Sequence, residues 1–134
     1  MIVVDTNIIG YFFLNSSKSA LADNAWQKDP IWAAPLLWRS ELRNVLALYI
    51  RKDILSLSDA GQIMNEATDL MLGKEYDVNS FQVLQLEMES ACSAYDCEFV
   101  ALARDLKVPL VTADQQILTD FPETAYSLEE FAAT

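Results

Sequence analysis

The sequence predicts an α/β fold in which helices cover a parallel sheet. Two observations carry the prediction. Short apolar runs rich in β-formers, such as Ile2-Val3-Val4 and Leu110-Val111-Thr112, alternate with longer stretches of helical period. Such alternation packs helices onto the faces of a parallel sheet. No repeat, charge block or Gly/Pro-rich linker divides the chain, which has only three glycines. Its 134 residues are expected to form one domain, residues 1–134, with a core of useful size.

The first strand, Ile2-Val3-Val4, runs into Asp5-Thr6-Asn7 without a turn. Ile8 to Leu14 then offers a helical turn or two. Ser17 or Ser19 caps a helix over Ala20 to Gln27, which Asp29-Pro30 breaks. Ile31-Trp32-Ala33-Ala34 is a short strand. Pro35 suits the first position of a long helix ending at Arg51-Lys52, where two cations complement the helix dipole. Ser58 caps the next helix, which ends near Gly73, and Glu75 to Val78 is a weak strand. Asn79 with Gln82 resembles a capping box and opens a helix to Ser90 or beyond. Ser93 to Leu106 carries another helix, Pro109 to Thr112 a strand, and Asp114 to Leu118 a short helix. Phe121-Pro122 marks a turn before a last edge strand, Thr124 to Ser127.

At 52% hydrophobic residues the chain is neither disordered nor low in complexity. No apolar run approaches the roughly 20 residues that span a bilayer. The opening MIVVDTN lacks the basic region and cleavage site of a secretory leader, so a cytoplasmic location is the expectation. Cys92 and Cys97 form no CxxC pair and are expected as half-buried thiols. With no histidine and two cysteines, a structural zinc site or a Ser-His or Cys-His nucleophile pair lacks its residues. Twenty acids against nine bases give a net charge of −11. That balance disfavours nucleic-acid binding through Lys and Arg and favours a basic partner. It leaves open the holding of phosphates through cations bound by clustered carboxylates.

Four acids stand out by position. Asp5 ends the first strand, at the edge where open parallel sheets bind ligands, and suits a helix cap or a ligand equally. Glu41 has Leu37, Trp38, Val45 and Leu48 at helical spacing and so lies on an apolar stripe, with Arg39 and Arg43 turned to water. A carboxylate there needs a cation or a cavity, or else it reaches solvent at the stripe's edge. Asp96 precedes Phe99, Val100 and Ala103 at similar spacing, and also lies in a first helical turn that favours an acid. Glu98 points away from that stripe and is expected to face solvent. Asp114 follows the Leu110–Thr112 strand across one alanine and by itself is an ordinary N-cap.

Each signal is weak singly, but two acids at strand ends and two on helix stripes can line one crevice. Converging carboxylates repel unless cations neutralise them. An oxygen-only set suits Mg²⁺ or Mn²⁺, ions that position water and stabilise an in-line phosphoryl displacement. Thr112 can hold a water or an acid through its hydroxyl, and Asn7 can orient Asp5 or touch the scissile phosphate. Tyr95, Trp32 and Trp38 are candidates for stacking on bases, with core packing their expected fate.

The segments Val3-Val4-Asp5-Thr6-Asn7, Ser93 to Ala103 with its Tyr95-Asp96 pair, and Leu110-Val111-Thr112-Ala113-Asp114 resemble the signatures of PIN-domain nucleases. Glu41 with Asn44-Val45-Leu46 resembles that family's second acid, and the likeness runs through the whole chain in order. The resemblance implies a three-layer α/β/α fold with a five-stranded parallel sheet in the order 3-2-1-4-5. It implies a Mg²⁺- or Mn²⁺-dependent ribonuclease whose catalytic, metal-ligating quartet is Asp5, Glu41, Asp96 and Asp114, with Thr112 in support. Hydrolysis in that family leaves a 5′-phosphate and a 3′-hydroxyl. At this size the likeness is to VapC-type toxins of type II toxin–antitoxin systems, which implies a homodimer and a cognate antitoxin in the acidic groove. Few bases flank the quartet in sequence, which leaves the grip on RNA unexplained.

Other acid-rich α/β proteins fit less well. A receiver-like domain needs an acid on its central strand and a lysine after the last-but-one strand. Here Asp53 lies at a helix end and Lys107 precedes its strand. A dehalogenase-type phosphatase needs a second Asp where Asn7 stands, and a dinucleotide site lacks its glycines. Two alternatives remain: a non-catalytic PIN-like module that binds a protein, and a solitary RNA-processing nuclease.

Overall fold

A computed structural model describes residues 1–133. Its strands are β1 (Ile2–Val4), β2 (Trp32–Pro35), β3 (Glu75–Tyr76), β4 (Leu110–Thr112) and β5 (Ala125–Ser127). They form one sheet in the order β3-β2-β1-β4-β5, and every adjacent pair is parallel. This is the order the resemblance implies. β1, β2 and β4 are buried throughout, which is why they are continuously apolar rather than alternating. The two-residue β3 and the half-exposed β5 form the edges.

The helices are α1 (Thr6–Phe13), α2 (Ser19–Lys28), α3 (Trp38–Arg51), α4 (Leu57–Met71), α5 (Ser80–Met88), α6 (Ala94–Leu106), α7 (Gln115–Asp120) and α8 (Leu128–Ala133). α6 packs across β1, β2 and β4 and carries α5. α1, α2, α3, α4 and α8 pack on one another as a second layer. The result is a three-layer α/β/α arrangement. Trp32, Trp38 and Phe99 are the bulkiest fully buried side chains. Each contributes upwards of about 1.5–3 kcal/mol through the apolar surface it removes from water. The chain turns one way from β1 to β2 and the other way from β1 to β4, and this reversal opens a crevice beyond their C-terminal ends.

Several boundaries differ from expectation for local reasons. Pro35 ends β2 instead of opening α3. The donors from β2 to β3 are the N–H groups of Ala34 and Leu36, so the missing N–H of Pro35 falls between them. Ser56 rather than Ser58 caps α4, its hydroxyl accepting from the Asp59 N–H. Neither Ser17 nor Ser19 caps α2: Ser19 is its first residue and donates to the Leu14 carbonyl. α1 begins at Thr6 because Asp5 caps it. The weak strand shrinks to Glu75–Tyr76, and α8 is a helix the sequence did not announce. Cys92 and Cys97 are free and fully buried, deeper than expected, and burial with Asp120 nearby pushes the Cys92 thiol up to about 12. Among the described residues no helix is long and apolar enough to cross a membrane.

Candidate active site

Asp5 leaves β1 and caps α1, its Oδ1 accepting from the Thr6 N–H at 2.8 Å. Its Oδ2 accepts from Thr112 Oγ1 at 2.7 Å and from Asn7 Nδ2 at 3.4 Å. Cap and cavity wall are therefore one residue, not alternatives. The β1–β4 register, Val4 beside Val111, brings these groups together. Thr112 Oγ1 also accepts from the Asp114 N–H at 3.0 Å, and Asn7 Oδ1 accepts from the Ala113 N–H at 3.3 Å.

Glu41 is half-buried, and its Oε1 accepts from Thr6 Oγ1 at 2.7 Å. The core stripe of α3 is Trp38, Leu42 and Leu46, while Leu48 is exposed, so Glu41 flanks the core rather than entering it. Arg43 faces water as expected; Arg39, its side chain still 36% exposed, is also tied to a partner. Its Nε and Nη2 donate to Glu75 at 2.6 and 2.7 Å, and Trp38 Nε1 donates to the same carboxylate at 2.7 Å. That clamp joins the start of α3 to β3 and sets where Glu41 stands.

Asp96 is half-buried in the first turn of α6, which Ser93 caps. Asp114 caps α7: its Oδ1 accepts from the N–H groups of Gln116 and Ile117 at 2.8 and 3.1 Å. Its Oδ2 accepts no hydrogen bond among the described residues. Each of the four acids thus sits at the cap or first turn of a helix. The partial positive charge there favours a carboxylate by about 0.3–1 kcal/mol.

Asp5, Glu41, Asp96, Asp114 and Asn7 line one cavity of about 470 Å³, together with Thr6. Thr112 is fully buried and acts on that cavity through its hydrogen bonds with Asp5 and Asp114. Burial pushes the Asp5 carboxyl up to about 6; hydrogen bonds from Thr112 and Thr6 oppose this, and Glu41 and Asp96 add to it. Glu41 is raised by burial and by Asp96, against its Thr6 hydrogen bond. Asp96 is raised by burial and by Asp114, against Ser93. Repulsion therefore links the acids in a chain, and no lysine or arginine lines the cavity among the described residues.

Two expectations fail here. Glu98 does not simply face solvent: it is half-buried, and burial and Glu41 both raise its carboxyl. Trp32 and Trp38 are core residues as expected, but Tyr95 is 63% exposed and stands in the cavity wall. Ser40, Asn44 and Thr6 also line the cavity and were not singled out. Asn44 was findable, since it lies three residues after Glu41 on the same helical face.

The donor set is made of oxygens, is negatively charged and is short of local cations, which fits a hard divalent ion. Asp114 Oδ2 and the second oxygen of Glu41 are uncommitted among the described residues. No three acidic, His or Cys side chains among those residues stand close enough to enclose an ion as they are.

Fold and site together define an α/β protein with an acidic, oxygen-rich cleft at the reversal point of a parallel sheet. The chain belongs to the PIN domain family, whose model matches residues 2–123. Proteins of this family are generally nucleases that use divalent metal ions. The structure is similar to that of PAE2754 from Pyrobaculum aerophilum, with a TM-score of 0.79 at 19% identity, covering 98% of this chain and 93% of that one. It is also similar to FitAcB from Neisseria gonorrhoeae, with a TM-score of 0.74 at 17% identity, covering 96% and 99%. A toxin–antitoxin complex from Klebsiella pneumoniae gives a TM-score of 0.71 at 17% identity, covering 96% and 98%. At these identities the likeness speaks to the fold alone. No curated protein sequence matches the chain.

Proposed function

We propose that the chain, as a single PIN domain over residues 1–134, is a metal-dependent ribonuclease. In this reading Asp5, Glu41, Asp96 and Asp114 hold Mg²⁺ or Mn²⁺ and carry the catalysis. The observation that carries it is the meeting of four carboxylates, from the starts of four helices, in one cavity. A bound ion supplies Lewis-acid stabilisation of charge on phosphoryl oxygens and lowers the pKa of a water. The chain's own residues hold that arrangement ready. Thr112 and the Thr6 N–H fix both oxygens of Asp5, and the Thr6 hydroxyl fixes Glu41, so these two acids are held in place while Asp96 and Asp114 close on the ion. Asn7 orients Asp5 through its amide, and in this reading it would also touch the scissile phosphate. Water adds to phosphorus, the P–O3′ bond breaks, and the proton passes to O3′, leaving a 5′-phosphate and a 3′-hydroxyl.

The same reading makes the chain the cytoplasmic toxin of a type II toxin–antitoxin system, VapC-like, dimeric and silenced by a cognate antitoxin. One structural neighbour is a toxin–antitoxin complex, and a net charge of −11 suits a basic antitoxin segment better than free RNA. A non-catalytic binding module is the second reading, and the separation of the carboxylates favours it. Calorimetric titration of Mn²⁺ into the metal-free protein separates the two. Saturable binding that weakens in Asp114→Asn supports the nuclease, and no binding by the wild type overturns it.

A further inference from the structure

The cavity has a second wall that the acids do not explain. Leu37, the N-cap of α3, and Val45 within that helix contribute to it, and α6 contributes Tyr95, one residue before Asp96. Leu37 and Val45 also pack against the core, but Tyr95 is 63% exposed and is not part of it. Among the described residues its hydroxyl makes no hydrogen bond and its ring pairs with no other ring or cation. A single exposed tyrosine is ordinary on a protein surface. This one lines a cavity of about 470 Å³, within the range of small-ligand sites, beside the four carboxylates.

The cavity wall also lacks what usually grips nucleic acid. No lysine or arginine contributes to it among the described residues. Arg39 is spent on Glu75, and Arg43 is on the solvent side of α3. Beyond what bound cations give the phosphate, affinity for a nucleic acid then draws on the uncharged wall, and an aromatic face beside aliphatic side chains is the surface on which a base stacks.

We propose that Tyr95, with Leu37 and Val45, forms a subsite for an unpaired nucleobase next to the scissile phosphate; this rests on the nuclease reading above. A base in a duplex is already stacked and paired, so the subsite selects single-stranded or looped RNA. Every base has a π-face, so the ring confers preference for unpaired strand rather than for one base.

The test measures binding of a short fluorescent RNA in Mg²⁺ by anisotropy, with Asp114→Asn as the background to stop cleavage. The probes are the single strand, the same strand annealed to its complement, and strands with one abasic position. Tyr95→Ala should weaken single-strand binding by about 5- to 150-fold, the range for one lost base stack. Tyr95→Phe should keep it, and one abasic position should reproduce the alanine loss. Thermal melts establish that the variants fold. Equal single-strand affinity in Tyr95→Ala, or duplex binding as tight as single-strand binding, overturns the subsite. Wild-type cleavage of the same strand, run in parallel, keeps the two claims apart. Cleavage with no Tyr95 effect removes the subsite alone, and no cleavage in Mg²⁺ or Mn²⁺ removes the nuclease reading and the subsite with it.

Discussion

The Thr6 hydroxyl donates to Glu41 Oε1 at 2.7 Å, across a sequence separation of 35, while the Thr6 N–H donates to Asp5 Oδ1 at 2.8 Å. One residue therefore holds two acids that repel each other. Thr6→Val keeps the shape and removes the hydroxyl. A hydrogen bond to a charged group is worth about 1.5–3 kcal/mol, so Mn²⁺ affinity should fall about 12- to 150-fold. Thr6→Ser should restore it. Calorimetry on folded variants reads this directly, and unchanged affinity in Thr6→Val would remove Thr6 from the account.

Asp5 makes the metal-free protein sensitive to pH. Its carboxyl is raised to about 6 by burial, above the 3.8 of an unperturbed Asp. The folded state then holds the proton more tightly than the unfolded chain, so stability falls as pH rises from about 4 to 6. The loss is on the order of 3 kcal/mol and is complete above the folded value. In EDTA the wild type should melt at a higher temperature at pH 5 than at pH 7.5. Asp5→Asn should reduce that difference, leaving the smaller share from the raised Glu41, Asp96 and Glu98, and stabilise the protein at pH 7.5. A wild type equally stable at both values contradicts the burial argument.

Glu75 is the hinge pin of α3. It takes two hydrogen bonds from Arg39 and one from the fully buried Trp38. Glu75→Ala strands the indole N–H and should cost about 1–3 kcal/mol in urea unfolding. Arg39→Ala leaves the Trp38 bond in place and should cost less. The reverse ranking would mean that the ion pair, not the indole, sets the position of α3.

Much of the fold was readable because β1, β2 and β4 are buried on both faces and therefore spell continuous apolar runs. Asp5, Glu41, Asp96 and Asp114 were readable as positions because acids at strand ends and on apolar stripes break a pattern. What the sequence hid is long-range. The Arg39 ion pair is hidden because its partner Glu75 lies on a strand beyond α4. The role of Thr6 is invisible in sequence, because only the packing of α3 beside α1 brings Glu41 within reach of its hydroxyl. Glu98 and Tyr95 were misplaced for one shared reason: helical period gives a face, but only the neighbouring helix decides whether that face is covered. Pro35 misled because a proline tolerated at a helix start is equally tolerated between two ladder donors.

The central claim is that these four carboxylates form a metal-dependent nuclease centre. Incubating the purified, partner-free protein with a mixed RNA pool in Mn²⁺, in Mg²⁺ and in EDTA, beside Asp96→Asn, tests it most directly. Cleavage is expected in at least one metal and not in EDTA, with activity lost in the folded variant. Cleavage that persists in EDTA or in Asp96→Asn would contradict it.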